Sequence, residues 1–218
     1  MELNKTIDHT LLGPQTNATA ISRLCSEAKE YNFCAVCVPP YFVSQAKQEL
    51  QGTEVKVATV VGFPHGFAAT MAKVEEIKRA VDEGVDEIDA VINLNALKSG
   101  DWNHVSSDID RMVTAVRLRG KVLKLIVESS LLDEDELARV CDICNEVSPD
   151  YVKTSTGLQG GATEDVIRFL RQHLKPEIKI KASGGIRDAN AVQAMLMAGA
   201  DRIGTSSGLA IMGLKPTI

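Results

Sequence analysis

The sequence predicts a single-domain α/β protein, a (β/α)8 TIM barrel over residues 1–218, and three observations carry that expectation. Short apolar runs alternate with amphipathic helical patterns about eight times. A chain of 218 residues, with no Ser/Gly linker or charge block to mark a boundary, matches one barrel better than two small domains. The passage Gly84-Val85-Asp86-Glu87-Ile88 recurs as Gly199-Ala200-Asp201-Arg202-Ile203, each carrying a helix into a strand, as a repeated βα unit would. Neither G-x-G-x-x-G nor G-x-x-x-x-G-K-[ST] is present, which weighs against a nucleotide-binding open sheet.

Taken in order, a first short strand is expected around Lys5 to Asp8, followed by a helix whose apolar face is Ile21, Leu24, Cys25 and Ala28. The runs Phe33 to Val38 and Val55 to Phe63 read as buried strands, because an apolar, β-branched run bounded by polar residues suits a sheet covered on both faces. Met71, Val74, Ile77 and Val81 form the next helical stripe, and Gly84 suits the left-handed position that ends it. The strand Glu87 to Asn93 is followed by a helix marked by Val105, Ile109, Met112, Val113 and Val116, which Gly120 closes. Val122 to Glu128 is the fifth strand. Asp133 and Glu136 then pattern as a capping box ahead of Leu137, Val140, Cys141 and Cys144. Tyr151 to Thr154, Ile178 to Ala182 and Arg202 to Thr205 complete the strands. Thr163 opens the helix of Val166, Ile167 and Leu170, and Asp188 opens that of Val192, Met195 and Leu196, which Gly199 ends.

Composition narrows the function. With 44% hydrophobic, 24% charged and 4% aromatic residues the chain is globular rather than disordered. A formal charge of -5 has the wrong sign for a surface that holds nucleic acid or anionic lipid nonspecifically, so any anion site is local. The opening MELNKTIDHT lacks the basic flank and apolar stretch of a secretory peptide, and no apolar run reaches membrane-spanning length, so a cytoplasmic protein with no nucleic-acid or membrane partner is expected. Five cysteines without an export signal point to reduced thiols. Cys34 and Cys37 sit three apart on a strand and face opposite ways, whereas Cys141 and Cys144 share an apolar helix face. Core packing explains all four better than zinc, and Cys37, near a strand end, has the further option of lining a pocket. His9 and His65 fall near strand ends and His104 and His173 on helix surfaces, with no metal spacing. No metal and no cofactor are expected. Nor do Ser129-Ser130 and Ser206-Ser207 have the His and Asp context of a hydrolase triad.

Chemistry is suggested by charges inside strands, since a buried ion is expensive unless paired. Asp89, Lys124, Lys153 and Lys181 all stand in such runs. Lys179 is read as a strand-end lysine that snorkels to water, with no polar motif just after it. Lys153 and Lys181 lead directly into Thr154-Ser155-Thr156-Gly157 and Ala182-Ser183-Gly184-Gly185, loops of small residues that approach a ligand with backbone amides. On consecutive strands their amines would be neighbours, and like charge and burial both favour neutrality of one of them. A neutral amine adds to a carbonyl carbon. Asp89 supplies a counter-ion and a proton acceptor, and without chemistry it would balance Lys124 or Lys181. Gly184-Gly185 after the seventh strand and Ser206-Ser207-Gly208 after the eighth, with Arg187 nearby, place small residues where barrels bind phosphate.

The chain resembles the deoxyribose-phosphate aldolase family almost end to end. The resemblance is carried by Ile7-Asp8-His9-Thr10-Leu11-Leu12, Val36-Cys37-Val38, Val61-Gly62-Phe63-Pro64, Asp86-Glu87-Ile88-Asp89, Ala96-Leu97-Lys98-Ser99-Gly100, Lys153-Thr154-Ser155-Thr156-Gly157, Lys181 through Arg187, and Gly204-Thr205-Ser206-Ser207. It implies a class I aldolase that reversibly cleaves 2-deoxy-D-ribose 5-phosphate to D-glyceraldehyde 3-phosphate and acetaldehyde in deoxyribose phosphate catabolism. In that reading Lys153 forms the Schiff base, Lys181 perturbs the pKa of Lys153 and serves as a proton donor or acceptor, and Asp89 takes part in proton transfer. Asp8, Thr10, Cys37, Lys124, Thr156, Gly157, Gly184, Gly185, Ser206 and Ser207 are the candidate substrate and phosphate contacts. A homo-oligomer is implied as well. The chain departs from the family at Gly13, at Pro39, and at Leu158, where some members place a cation. Lys215-Pro216-Thr217-Ile218 follows closely on the last expected helix, so no substrate-covering tail is expected. The competing readings are another phosphosugar barrel enzyme, an isomerase or a different imine-forming aldolase, and a barrel that only binds a phosphorylated ligand.

Overall fold

A computed structural model describes residues 2–214. Eight parallel strands close into a barrel in sequential order: β1 (Ile7–Thr10), β2 (Ala35–Val38), β3 (Lys56–Val61), β4 (Glu87–Val91), β5 (Val122–Ile126), β6 (Tyr151–Lys153), β7 (Lys179–Ser183) and β8 (Arg202–Thr205), with β8 pairing back onto β1. The helices α1 (Ala18–Glu30), α2 (Val43–Glu49), α3 (Thr70–Asp82), α4 (Leu94–Lys98), α5 (Trp102–Arg117), α6 (Glu134–Val147), α7 (Glu164–His173), α8 (Ala189–Ala198) and α9 (Gly208–Ile211) fill the crossovers and the end of the chain. Lys215–Ile218 lie outside the described residues, and with them the expectation about a tail.

Local rules account for most boundaries. Asn17, Asp101, Asp133, Thr163 and Asp188 each accept the N3 amide of the helix they open, and Asp133 and Glu136 complete the expected capping box. Gly84, Gly120 and Gly199 take the left-handed conformations that turn their helices back toward the barrel (φ 96°, 62° and 117°). The strand starts are tied by a recurring device. The carboxylate of Asp86 accepts Val57 N at 3.0 Å, Asp150 accepts Leu123 N at 2.9 Å and Asp201 accepts Ile180 N at 2.8 Å. In each case the aspartate just before an even-numbered strand satisfies an amide of the preceding strand, which gives the Gly-x-Asp-x-Ile repeat its physical meaning.

Three expectations are corrected. The first strand lies at Ile7–Thr10 rather than Lys5 to Asp8, because Leu3–Thr6 forms a 3-10 turn held by the Thr6 hydroxyl on Leu3 O. The apolar runs overshoot β3, β4 and β5: Gly62 and Glu128 turn left-handed (φ 61° and 52°) and Asn93 caps α4, so these residues stay buried or nearly so after leaving the sheet. Helix α2 was not expected, since seven residues that bury only Val43 and Ala46 show no periodicity.

The main core lies between strands and helices, and all five cysteines are free thiols, with Cys25, Cys37, Cys141 and Cys144 buried. Lys179 is exposed at its strand start, with its amine over the Tyr151 ring at 5.6 Å. Among the described residues no helix is long and apolar enough to cross a membrane. His9 Nε2 lies 2.8 Å from Glu27, while the buried Nδ1 faces Gly208 and has no hydrogen-bond partner among the described residues. Burial holds the His9 pKa below 6.5 despite the Glu27 hydrogen bond and charge. A histidine neutral in the fold but free to protonate when unfolded stabilises above its unfolded value near 6.5 and loses that contribution as pH falls. Urea midpoints should therefore drop more between pH 7.5 and 5.5 in the wild type than in His9→Gln; equal drops would exclude His9 as the cause.

Candidate active site

The interior of the barrel is polar on one side and apolar on the other. Cys37, Ala58 and Val60 from β2 and β3 form a small apolar cluster with Leu12 and Phe63. Opposite them, β4 to β8 and β1 point charges inward, because residues of matching parity on neighbouring strands share a face. Register places Lys153 beside Lys181 and Asp89 beside Lys124.

Asp89 is the hub. It is fully buried, and its Oδ2 accepts from Lys153 Nζ at 2.8 Å and Lys181 Nζ at 2.7 Å, while Oδ1 accepts from Lys124 Nζ at 2.9 Å. Burial pushes the Asp89 carboxyl up, but the three ammonium groups outweigh it and hold it well below the usual carboxylate range. Lys181 also donates to Asp8 Oδ2 at 2.5 Å. Burial lowers the Lys181 pKa, yet Asp8 and Asp89 together raise it above 10.5, so Lys181 is the amine held charged. The same balance holds Lys124 charged between Asp89, Glu87 and Asp8. For Asp8, the upward push of burial loses to Lys181, Arg202 and Lys124, and the carboxyl stays ionised. The Cys37 thiol is pushed up to about 11, by burial first and then by Asp89, so it stays protonated.

Above this layer a cavity of about 370 Å³ opens at the C-terminal ends of the strands. Thr10, Lys153, Thr156, Gly157, Gly184, Gly185 and Ser206 line it, together with Leu158, Arg187 and Gly204. Asp8, Cys37, Asp89, Lys124 and Lys181 do not line it; they lie fully buried elsewhere in the barrel interior, and the contacts of Asp8 and Lys124 are with charged partners. The Ser207 amide is already bound to Thr205 Oγ1 at 2.9 Å. Gly184 and Gly185 are both left-handed (φ 87° and 77°), and a Cβ on Gly184 would lie 2.7 Å from Gly160 O, so two loops meet there with no room for a side chain. The β6 loop is anchored by Glu128, whose buried carboxylate accepts the Thr156 hydroxyl at 2.5 Å. Among the described residues that line it, only Lys153 and Arg187 are cationic.

Glu87 and Arg202 escaped the sequence reading. Both are buried inside the barrel, and Arg202 joins Asp8 to Glu87 by hydrogen bonds. A signal was present: they occupy the same position of the Gly-x-Asp-x-Ile repeat with opposite charge.

Fold and site together define a (β/α)8-barrel enzyme with a buried lysine at the floor of a C-terminal cavity. The chain belongs to the DeoC/LacD aldolase family, whose model matches residues 3–213. It is 47% identical over 213 residues to the deoxyribose-phosphate aldolase of Lactococcus lactis subsp. lactis, covering 97% of this chain and 96% of that one. To the deoxyribose-phosphate aldolase of Thermococcus gammatolerans it is 46% identical, again over 97% of this chain and 96% of the other. A solved structure described as a unique tetrameric deoxyribose phosphate aldolase from Aeropyrum pernix superposes with a TM-score of 0.90 at 31% identity, covering 97% of this chain and 89% of that one.

Proposed function

We propose that this aldolase cleaves 2-deoxy-D-ribose 5-phosphate to D-glyceraldehyde 3-phosphate and acetaldehyde through a Schiff base on Lys153. The observation that carries the reading is that Lys153 and Lys181 donate to one oxygen of Asp89 while Lys153 alone of the two lines the cavity. Four cations, Lys124, Lys153, Lys181 and Arg202, share the barrel interior with three carboxylates, Asp8, Glu87 and Asp89. Lys153 meets one carboxylate, Asp89, and stands at the cavity floor, where a substrate aldehyde reaches it.

The neutral amine adds to the aldehyde carbon and loses water, leaving a protonated imine. The bond between carbons 2 and 3 then breaks, its electron pair passing to the imine to give an enamine. The proton of the carbon 3 hydroxyl passes through water to the Asp89 carboxylate, which Lys181 holds in place, and D-glyceraldehyde 3-phosphate leaves. Protonation of the enamine at carbon 2 and hydrolysis of the imine release acetaldehyde and restore the lysine. The phosphate is assigned to Gly184, Gly185 and Ser206 with Arg187, which supplies the cation that Leu158 does not. Five free thiols suit a cytoplasmic setting, and a homo-oligomer is proposed from the tetrameric relative.

Turnover of deoxyribose 5-phosphate, with borohydride trapping of an acetaldehyde adduct at Lys153, tests the reading. Absence of turnover, or an adduct on any other lysine, would overturn it. A further expectation concerns Gly204, where a Cβ would lie 2.9 Å from Lys181 Cε. Gly204→Ala should displace the Lys181 shaft, lowering kcat about 10- to 100-fold and stability by about 1–3 kcal/mol. An unchanged kcat would show that the position of Lys181 is not critical.

A further inference from the structure

The buried charges form a closed circuit. Arg202 donates to Asp8 Oδ1 through Nε at 2.9 Å and also through Nη2, and to both oxygens of Glu87 at 3.3 and 3.0 Å. Asp8 accepts Lys181, Lys181 meets Asp89, Asp89 accepts Lys124, and Lys124 closes the circuit on Glu87 at 2.6 Å. Signs alternate around the six members, so the ring is neutral, and Lys153 hangs from it as the extra cation on Asp89. Arg202 is the member farthest along the ring from Asp89, Glu87 stands two steps away by way of Lys124, and neither lines the cavity nor pairs with Lys153.

We infer that Arg202 and Glu87 are positioning residues that set the pH at which the lysine at the cavity floor becomes a nucleophile, acting through the ring. The inference rests on the proposed imine chemistry. Around the barrel the groups facing the ring are Asp8 on β1, the Cys37 thiol on β2 with Cys34 just before it, Glu87 and Asp89 on β4, Lys124 on β5, Tyr151 and Lys153 on β6, Lys179 and Lys181 on β7, and Arg202 on β8; β3 contributes Ala58 and Val60. Cys37 stays a neutral thiol, Lys179 opens to water, and the Glu128 carboxylate after β5 is tied to Thr156, so the ring and Lys153 are the charged groups in mutual contact. Removing a negative member leaves the site more positive and eases loss of the proton; removing a positive member does the opposite. Burial keeps salt from screening either effect.

The test is the rate of borohydride trapping of the acetaldehyde imine as a function of pH. Relative to the wild type, Glu87→Gln should move the acid limb down by about one pH unit and Arg202→Met should move it up by about as much. The double variant Glu87→Gln/Arg202→Met, which restores the charge count, and Arg202→Lys, which never alters it, should both lie near the wild-type limb. If Arg202→Met does not fold, the near-isosteric Glu87→Gln and the charge-keeping Arg202→Lys decide the matter. A limb unmoved in Glu87→Gln, or moved the same way in both single variants, overturns this inference while a wild-type adduct at Lys153 leaves the aldolase reading intact. A wild type that traps nothing at Lys153 overturns both.

Discussion

Asp89→Asn is expected to lose both stability and turnover. The carboxylate accepts from three ammonium groups inside the barrel, and the amide leaves four buried cations against two carboxylates. Breaking a buried pair while keeping the partner charge costs about 3–5 kcal/mol. Loss of a positioned acid–base group lowers the rate by roughly 10²–10⁴-fold. The sign of the pH effect follows from Lys181. Its pKa is raised in the fold by Asp8 and Asp89 against burial, so its contribution to stability is present below the unfolded amine value and lost only as pH climbs through the raised one. Without the Asp89 charge that support falls and burial gains weight. The variant should therefore recover part of its deficit as pH rises from 7 to 9.5 and buried amines shed protons. Urea midpoints across that range check this, and a deficit independent of pH would mean that Asp89 acts through packing rather than charge.

Lys153→Met should separate chemistry from folding. Turnover is expected to fall by at least about 10³-fold and the borohydride adduct to disappear, because among the described residues no other lysine lines the cavity. Stability should change by no more than about 1–2 kcal/mol, since Asp89 keeps Lys124 and Lys181 and the ring of six charges remains balanced. Kinetic assay and denaturation of one preparation give both numbers. A variant that retains activity would remove Lys153 from the reaction, and one that unfolds would make the lysine a structural ion.

How far the molecule could be read from its residues depended on whether the signal was local. Caps at Asp133, Thr163 and Asp188 and the helix-ending glycines were legible because each depends on a few neighbouring residues. The inward lysines were legible because charge in an apolar run has few explanations. Less legible were the strand ends, since Gly62, Asn93 and Glu128 leave the sheet while their neighbours stay apolar. The pairing within the barrel was hidden altogether. Asp8 and Lys181 are 173 residues apart and Arg202 and Glu87 are 115 apart, and no spacing reveals which charges a closed sheet brings together. For the same reason Asp8 and Lys124 read as ligand contacts, whereas the structure pairs Asp8 with Lys181 and Arg202 and pairs Lys124 with Asp89 and Glu87.

The aspartates that hold strand amides have a consequence for the chain as a sewn object. Val57 with Asp86, Leu123 with Asp150 and Ile180 with Asp201 each stitch an odd strand to the next even one, over 29, 27 and 21 residues. No such stitch crosses the turn at 118–121. A polypeptide nicked there would keep every stitch whole within one half or the other, whereas a nick inside α6 would sever one. The cylinder is assembled from panels already hemmed along one edge, and a cut between β2 and β3, between β4 and β5 or between β6 and β7 leaves every hem intact.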